Sequence, residues 1–209
     1  AFAARAKPDG YTVLGMTSSV VTNPKIKNTP YTLASFEPVG FYMLTPEIIC
    51  VANDSPIKTI EDFVKKAKSE PITLAMSEVG TSHHMSGLAL EAYGGLKIKF
   101  VNIRAFGEQL QQVMGGHVDG ALWPSGEAAK QIDAKVVRPL AISSNGRFKQ
   151  FPDLPTWEEA GLNIKEFATV RGWGVPKGTP DEVVDYLAEL LGKITSDADV
   201  IEKMTAAGY

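Results

Sequence analysis

One pattern limits what this chain can fold into: between Pro71 and Asp133 an apolar strand-like run, a loop and a helix-period segment follow one another three times. Pro71-Ile72-Thr73-Leu74-Ala75-Met76 leads through Ser77 to Ser82 into a helix that reaches about Tyr93, where Gly94-Gly95 stops it. Ile98 to Ile103 precedes a helix over Glu108 to Met114, and Gly120-Ala121-Leu122-Trp123 precedes one over Glu127 to Asp133. Val137 to Ser143 closes the series as a further strand. Alternation of this kind predicts an α/β fold around a mostly parallel sheet.

The flanking segments supply further elements. Tyr11 to Met16 reads as a buried strand ending in a polar loop, Thr17-Ser18-Ser19, while Asn23-Pro24 and Thr29-Pro30-Tyr31 mark irregular chain. Val39 to Leu44 continues past Pro46 through Ile48 to Ala52 as one long connecting strand. Thr59 is the N-cap of a helix over Ile60 to Ser69, with acids in its first turn and apolar residues at helical spacing. Towards the C-terminus the sequence predicts a helix over Trp157 to Ala160, a strand over Val170 to Val175, and helices over Pro180 to Leu191 and near Asp199 to Ala206. Ala1 to Lys7 reads as the last turns of a helix that has no N-cap, so an N-terminal strand and most of a helix are expected to be missing.

Composition removes several classes of function. With 44% apolar and 22% charged residues among 209, the chain can bury a core. A net charge of -3 with the two signs interspersed leaves no basic stripe for a phosphate backbone, so nucleic acid is not an expected partner. The single cysteine, Cys50, lies in an apolar run and has no partner for an internal disulfide. No run approaches the ~18 apolar residues that span a bilayer. Neither a Gly-x-Ser-x-Gly elbow, a phosphate-binding loop with lysine, nor His-Glu-x-x-His is present, so neither catalysis nor a cofactor is expected.

The loop Ser77 to His84 is the best candidate for chemistry. It joins a strand to a helix, so its amides can face an anion with the helix dipole behind them, and Gly80 permits close approach. Thr81 and Ser82 would add hydroxyl donors, although an ordinary N-cap loop explains the same residues about as well. His83 and His84 diverge by about 100° on a helix and have no ligand-type residue at i+4, so they do not form a metal site. Thr17, Ser18 and Ser19 stand at a strand's C-terminal end, where ligands of open α/β sheets gather, as do Arg104 and the pair Trp123 and Ser125. Trp123 reads equally as a core residue, and Arg171 either as a carboxylate partner or as a structural ion pair.

In order along the chain stand Lys7-Pro8-Asp9-Gly10-Tyr11-Thr12, Gly80-Thr81-Ser82 with His84, Gly115-Gly116-His117-Val118-Asp119, Pro152-Asp153-Leu154-Pro155-Thr156, Glu159-Ala160-Gly161, and Arg171-Gly172 leading to Val175-Pro176-Lys177-Gly178-Thr179-Pro180. By these segments the whole chain resembles the substrate-binding receptors of tripartite tricarboxylate transporters, the Bug receptors. The resemblance implies a type II periplasmic binding-protein fold, two α/β lobes joined by a hinge of two crossing strands with ligand held between them. The lobes would comprise residues 1–48, 49–171 and the returning 172–209. It further implies a periplasmic or otherwise extracytoplasmic monomer that binds a small mono- or dicarboxylate and meets membrane permease subunits. His84 matches a family histidine that braces its loop, and Glu78 stands where the family has a small neutral residue. The competing reading is a cytosolic effector-sensing domain of a transcription regulator, which uses the same two-lobed fold but needs a helix-turn-helix segment.

Overall fold

A computed structural model describes residues 1–207. The chain folds as two compact units, one of Ala1–Leu44 with Thr169–Ala207 and the other of Thr45–Ala168.

In the first unit, β1 (Leu14–Thr17) runs directly into α1 (Ser18–Ile26). β1 pairs antiparallel with β7 (Ala168–Pro176), Leu14 opposite Gly174 and Thr17 opposite Arg171. β7 in turn neighbours the first half of β2 (Phe36–Ala52). There a Cβ on Gly172 would fall 2.5 Å from the Gly40 carbonyl oxygen, so only glycine fits. The helices α6 (Asp181–Ser196) and α7 (Ala198–Ala206) complete the unit. Its buried apolar centre is small, Ala3, Met16, Val20 and Phe36.

The second unit holds the repeating pattern. β3 (Ile72–Met76), β4 (Ile98–Asn102) and β5 (Gly120–Pro124) are followed by α3 (Ser82–Gly94), α4 (Phe106–Met114) and α5 (Ser125–Asp133). α2 (Ile60–Ser69) precedes them and β6 (Val137–Ile142) follows. β3 pairs parallel with both β4 and β5, whereas β2 lies antiparallel between β5 and β6. The sheet is therefore mixed rather than mostly parallel. The strand–loop–helix repeats set the direction of β3, β4 and β5, and the long strand β2 enters against them.

Alternation along the strands divides the core into two clusters. Ile49, Val51, Ile72, Leu74 and Leu122 belong to one, with α2 and Trp157; Ile48, Cys50, Ala52, Ala75, Ala121 and Trp123 belong to the other. Consecutive residues of β2 and β5 point to opposite sides and both sides are covered, which is why these segments read as unbroken apolar runs. α2 begins as the sequence predicts: Asp62 N–H donates to Thr59 Oγ1 at 3.2 Å, and Thr59 N–H donates back to Asp62 Oδ2 at 3.2 Å.

Three local expectations need correction. The strand expected from Tyr11 begins only at Leu14, and the expected polar loop is no loop: Thr17 ends β1 while Ser18 and Ser19 open α1. α1 runs through Asn23 and Pro24, part of the stretch read as irregular, and stops two residues after the proline, at Ile26. Trp157 to Ala160 forms a turn, not a helix: Ala160 N–H donates to Thr156 O at 3.0 Å, but Gly161 at φ +73° ends the turn at once.

Candidate functional site

Because β3, β4 and β5 are parallel, their C-terminal ends share one edge of the sheet; β3 and β4 each lead through a short loop into a helix, and β5 runs directly into α5. The loop after β3 is the most tightly organised. Thr81 is the N-cap of α3: its hydroxyl accepts from His84 N–H at 3.5 Å and donates to the Glu78 carbonyl at 2.7 Å. Ser77 Oγ lies 3.3 Å from Thr81 Oγ1 and 3.3 Å from His83 Nδ1. Gly80 takes φ +88°, a left-handed backbone that suits glycine. Its N–H donates to His84 Nδ1 at 3.3 Å, so the imidazole holds the loop from one helical turn inside α3.

His84 is partly buried and its ring meets Phe100 of β4 edge-on at 5.1 Å between centroids. Burial holds the imidazole below its usual protonation range, against a smaller opposing pull from the Glu91 carboxylate. The ring is thus kept neutral, the state in which Nδ1 can accept. Ser82, the first residue of α3, is buried at 7% exposure.

The loop after β4 carries Arg104, whose Nε lies 2.8 Å from Glu78 Oε1. The pair joins two neighbouring strand-end loops and neutralises the acid that stands in the first of them. The Arg104 side chain is 84% exposed, so the guanidinium keeps an open face.

The direct junction of β5 with α5 divides the two residues expected there, Trp123 lying within the strand and Ser125 opening the helix. Trp123 is fully buried, its ring edge-on to Phe106 at 5.0 Å and its N–H donated to Gln109 Oε1 at 2.6 Å. Its assignment as a binding residue is corrected: the indole is a core side chain whose polar atom is already occupied. Ser125 opens α5 after Pro124, which supplies no side-chain cap. Its hydroxyl is sealed from solvent and has no hydrogen-bond partner.

Two residues not singled out from the sequence lie beside it. Glu47 is the only fully buried acid among the described residues, and it sits opposite Pro124 in the β2–β5 register. Its N–H donates to Ser143 Oγ at 2.7 Å, and Ser143 N–H donates to the Glu47 carbonyl at 2.9 Å. Thr45, two residues earlier, is buried with its hydroxyl unpartnered. The sequence signal was there: Thr45-Pro46-Glu47 interrupts an otherwise apolar run. In the first unit, Thr17, Ser18 and Ser19 lie at the β1–α1 junction, where Thr17 is the N-cap without a side-chain cap bond. Among the described residues no three His, Cys, Asp or Glu side chains converge as a metal site, and no helix is long and apolar enough to cross a membrane.

Comparison with known proteins covers the same residues. The model of the tripartite tricarboxylate transporter family receptor matches residues 1–209. A UPF0065 protein encoded in the tcbD-tcbE intergenic region of Pseudomonas sp. (strain P51) is 31% identical over 98% of the chain and 62% of its own length. The chain spans about three-fifths of the curated relatives it matches. Among solved structures, the periplasmic binding protein BugD is 30% identical with a TM-score of 0.86, covering 99% of this chain and 70% of that one. R. palustris Rpa4515 with adipate is 25% identical with a TM-score of 0.89, covering 99% and 71%.

Proposed function

The chain belongs to the tripartite tricarboxylate transporter receptor family, and from that membership we propose that it captures a small organic mono- or dicarboxylate outside the cytoplasm and hands it to the permease subunits of such a transporter. The observation that carries this reading is the loop from Ser77 to Ser82, which ends β3 and opens α3. A helix N-terminus with a closely folded glycine loop is suited to an anion by its dipole and its amide donors. The adipate bound by the R. palustris protein supports an organic acid as the ligand class.

In this reading Gly80, Thr81 and Ser82 bound the carboxylate position and His84 sets the loop. Arg104 supplies the positive charge, with Glu78 fixing its Nε side and the open edge left for a second carboxylate. The buried hydroxyl of Ser125 is a further contact. Thr17, Ser18 and Ser19 remain proposed contacts through the family likeness. Binding rather than turnover is the reading that membership of a receptor family supports.

A thermal-shift screen over mono- and dicarboxylic acids of graded length tests the proposal, since a ligand that binds only the folded state raises its melting temperature by mass action. The expected result is a shift with short-chain acids that their methyl esters do not reproduce. Equal shifts with acid and ester, or none with any acid, would overturn it.

A further inference from the structure

We infer that His84 is a positioning residue for the Gly80 loop and that its protonation releases that loop, making carboxylate capture weaken in acid. Nδ1 of a neutral imidazole accepts the Gly80 N–H; a protonated ring carries hydrogen on both nitrogens and can accept nothing. Gaining one proton therefore converts an attractive contact into two opposed donors. Gly80 is the residue most sensitive to such a loss. Its φ of +88° holds the bend that carries the chain from Glu78 into the N-cap at Thr81.

The ring's surroundings favour a switch rather than a permanently charged group. Phe100 faces it from β4 and offers no charge, while α3 itself contributes Glu91 and the adjacent His83. The loop after β3 contributes Glu78, whose carboxylate is paired with Arg104 from the loop after β4, so these two opposite charges answer each other. Burial keeps the ring neutral at physiological pH, and acidification below the ordinary histidine range charges it.

The test follows the Gly80 amide in the ¹⁵N-labelled full chain from about pH 8 to about pH 5. Its shift should titrate together with the His84 ring, and its hydrogen exchange should accelerate, after correction for intrinsic pH dependence, by about tenfold. His84→Asn keeps an acceptor near the Nδ1 position without titrating, and should leave the Gly80 resonance flat. His84→Phe removes the acceptor and should show the acid behaviour at every pH; should that variant not fold, the asparagine variant decides alone. His83→Asn should leave the Gly80 titration in place, separating the two neighbours.

The affinity arm rests on the carboxylate reading and uses adipate as probe in calorimetry. Wild type should lose affinity towards acid more steeply than His84→Asn, the protonation of adipate itself being common to both. A Gly80 amide that ignores His84 titration, or an identical profile in His84→Asn, overturns the inference. Failure of adipate to bind while Gly80 still titrates with His84 counts against adipate as ligand and leaves the positioning role standing.

Discussion

The indole N–H of Trp123 donates to Gln109 Oε1 at 2.6 Å, and Gln109 Nε2 donates onward to the Ile103 carbonyl at 2.7 Å. One buried amide on α4 thus ties the interior of β5 to the chain leaving β4, next to Arg104. Both side chains are essentially sealed from solvent. The polar end of the tryptophan is spent inside the unit, and the position of the strand-end loop depends on it.

Gln109→Leu should accordingly cost about 1–3 kcal/mol of stability, because it strands a buried N–H and a buried carbonyl together. Denaturant unfolding monitored by tryptophan fluorescence measures it. A loss under about 0.5 kcal/mol, the range of surface substitutions, would show that the amide contributes no more than an exposed residue does.

Asp119 predicts the acid limb of stability. Burial alone would raise its carboxyl, but Lys66 Nζ at 2.6 Å and the Thr73 hydroxyl and N–H at 2.6 and 2.7 Å together hold it below the usual carboxylate range. A depressed folded-state value means the contribution is present above the unfolded-state value and lost as pH falls through the folded one. Asp119→Asn should be less stable than wild type by about 1–3 kcal/mol near neutrality, with the gap narrowing below about pH 4. A gap that stays constant across that range would assign the effect to packing rather than charge.

How much of this was visible in the chain itself depends on whether one local rule acted alone. The α2 start is legible because Thr59 and Asp62 cap within four residues, and β3 and β5 are legible as short apolar runs because both of their faces are buried. α1 was hidden because Pro24, usually a sign of irregular chain, lies where the helix is already ending. The direction of β2 was hidden for a different reason: strand order is set by partners far along the chain, Ile142 and Trp123 flanking Ile48. Around the candidate site, the Gly80 loop is legible from its composition, whereas buried Thr45 and Glu47 are not, because a polar pair within an apolar strand reads as a defect. Trp123 stays open between cleft and core in the sequence, because strand-end position says nothing about which way a ring turns.

Cys50 should be silent in the folded protein. It is fully buried in β2 beside Ala121, and desolvation alone pushes its thiol far above the range in which thiolate forms. Labelling by a thiol-specific disulfide reagent should therefore proceed at the rate of unfolding and rise with denaturant along the same transition as the fluorescence. Stoichiometric labelling within seconds in buffer would mean that β2 opens locally, which would loosen the Glu47–Ser143 contacts next to it.

In the proposed carboxylate reading Arg104 is a ligand contact as well as the partner of Glu78, and the two roles predict different losses. With Arg104 84% and Glu78 41% exposed, the bridge contributes little to folding, and Arg104→Ala should change stability by under about 1 kcal/mol. Affinity for a dicarboxylate should respond much more, by about tenfold or greater, because the variant loses a charged donor and leaves Glu78 facing the incoming anion without its counter-charge. These two losses can be told apart. Adding Glu78→Gln to Arg104→Ala removes the repulsion but not the missing donor, so it should recover part of the affinity and never all of it. Calorimetry across the four proteins of this cycle gives the coupling directly. Full recovery in the double variant would make Arg104 a shield for Glu78 and nothing more, while unchanged affinity in Arg104→Ala would remove it from the site.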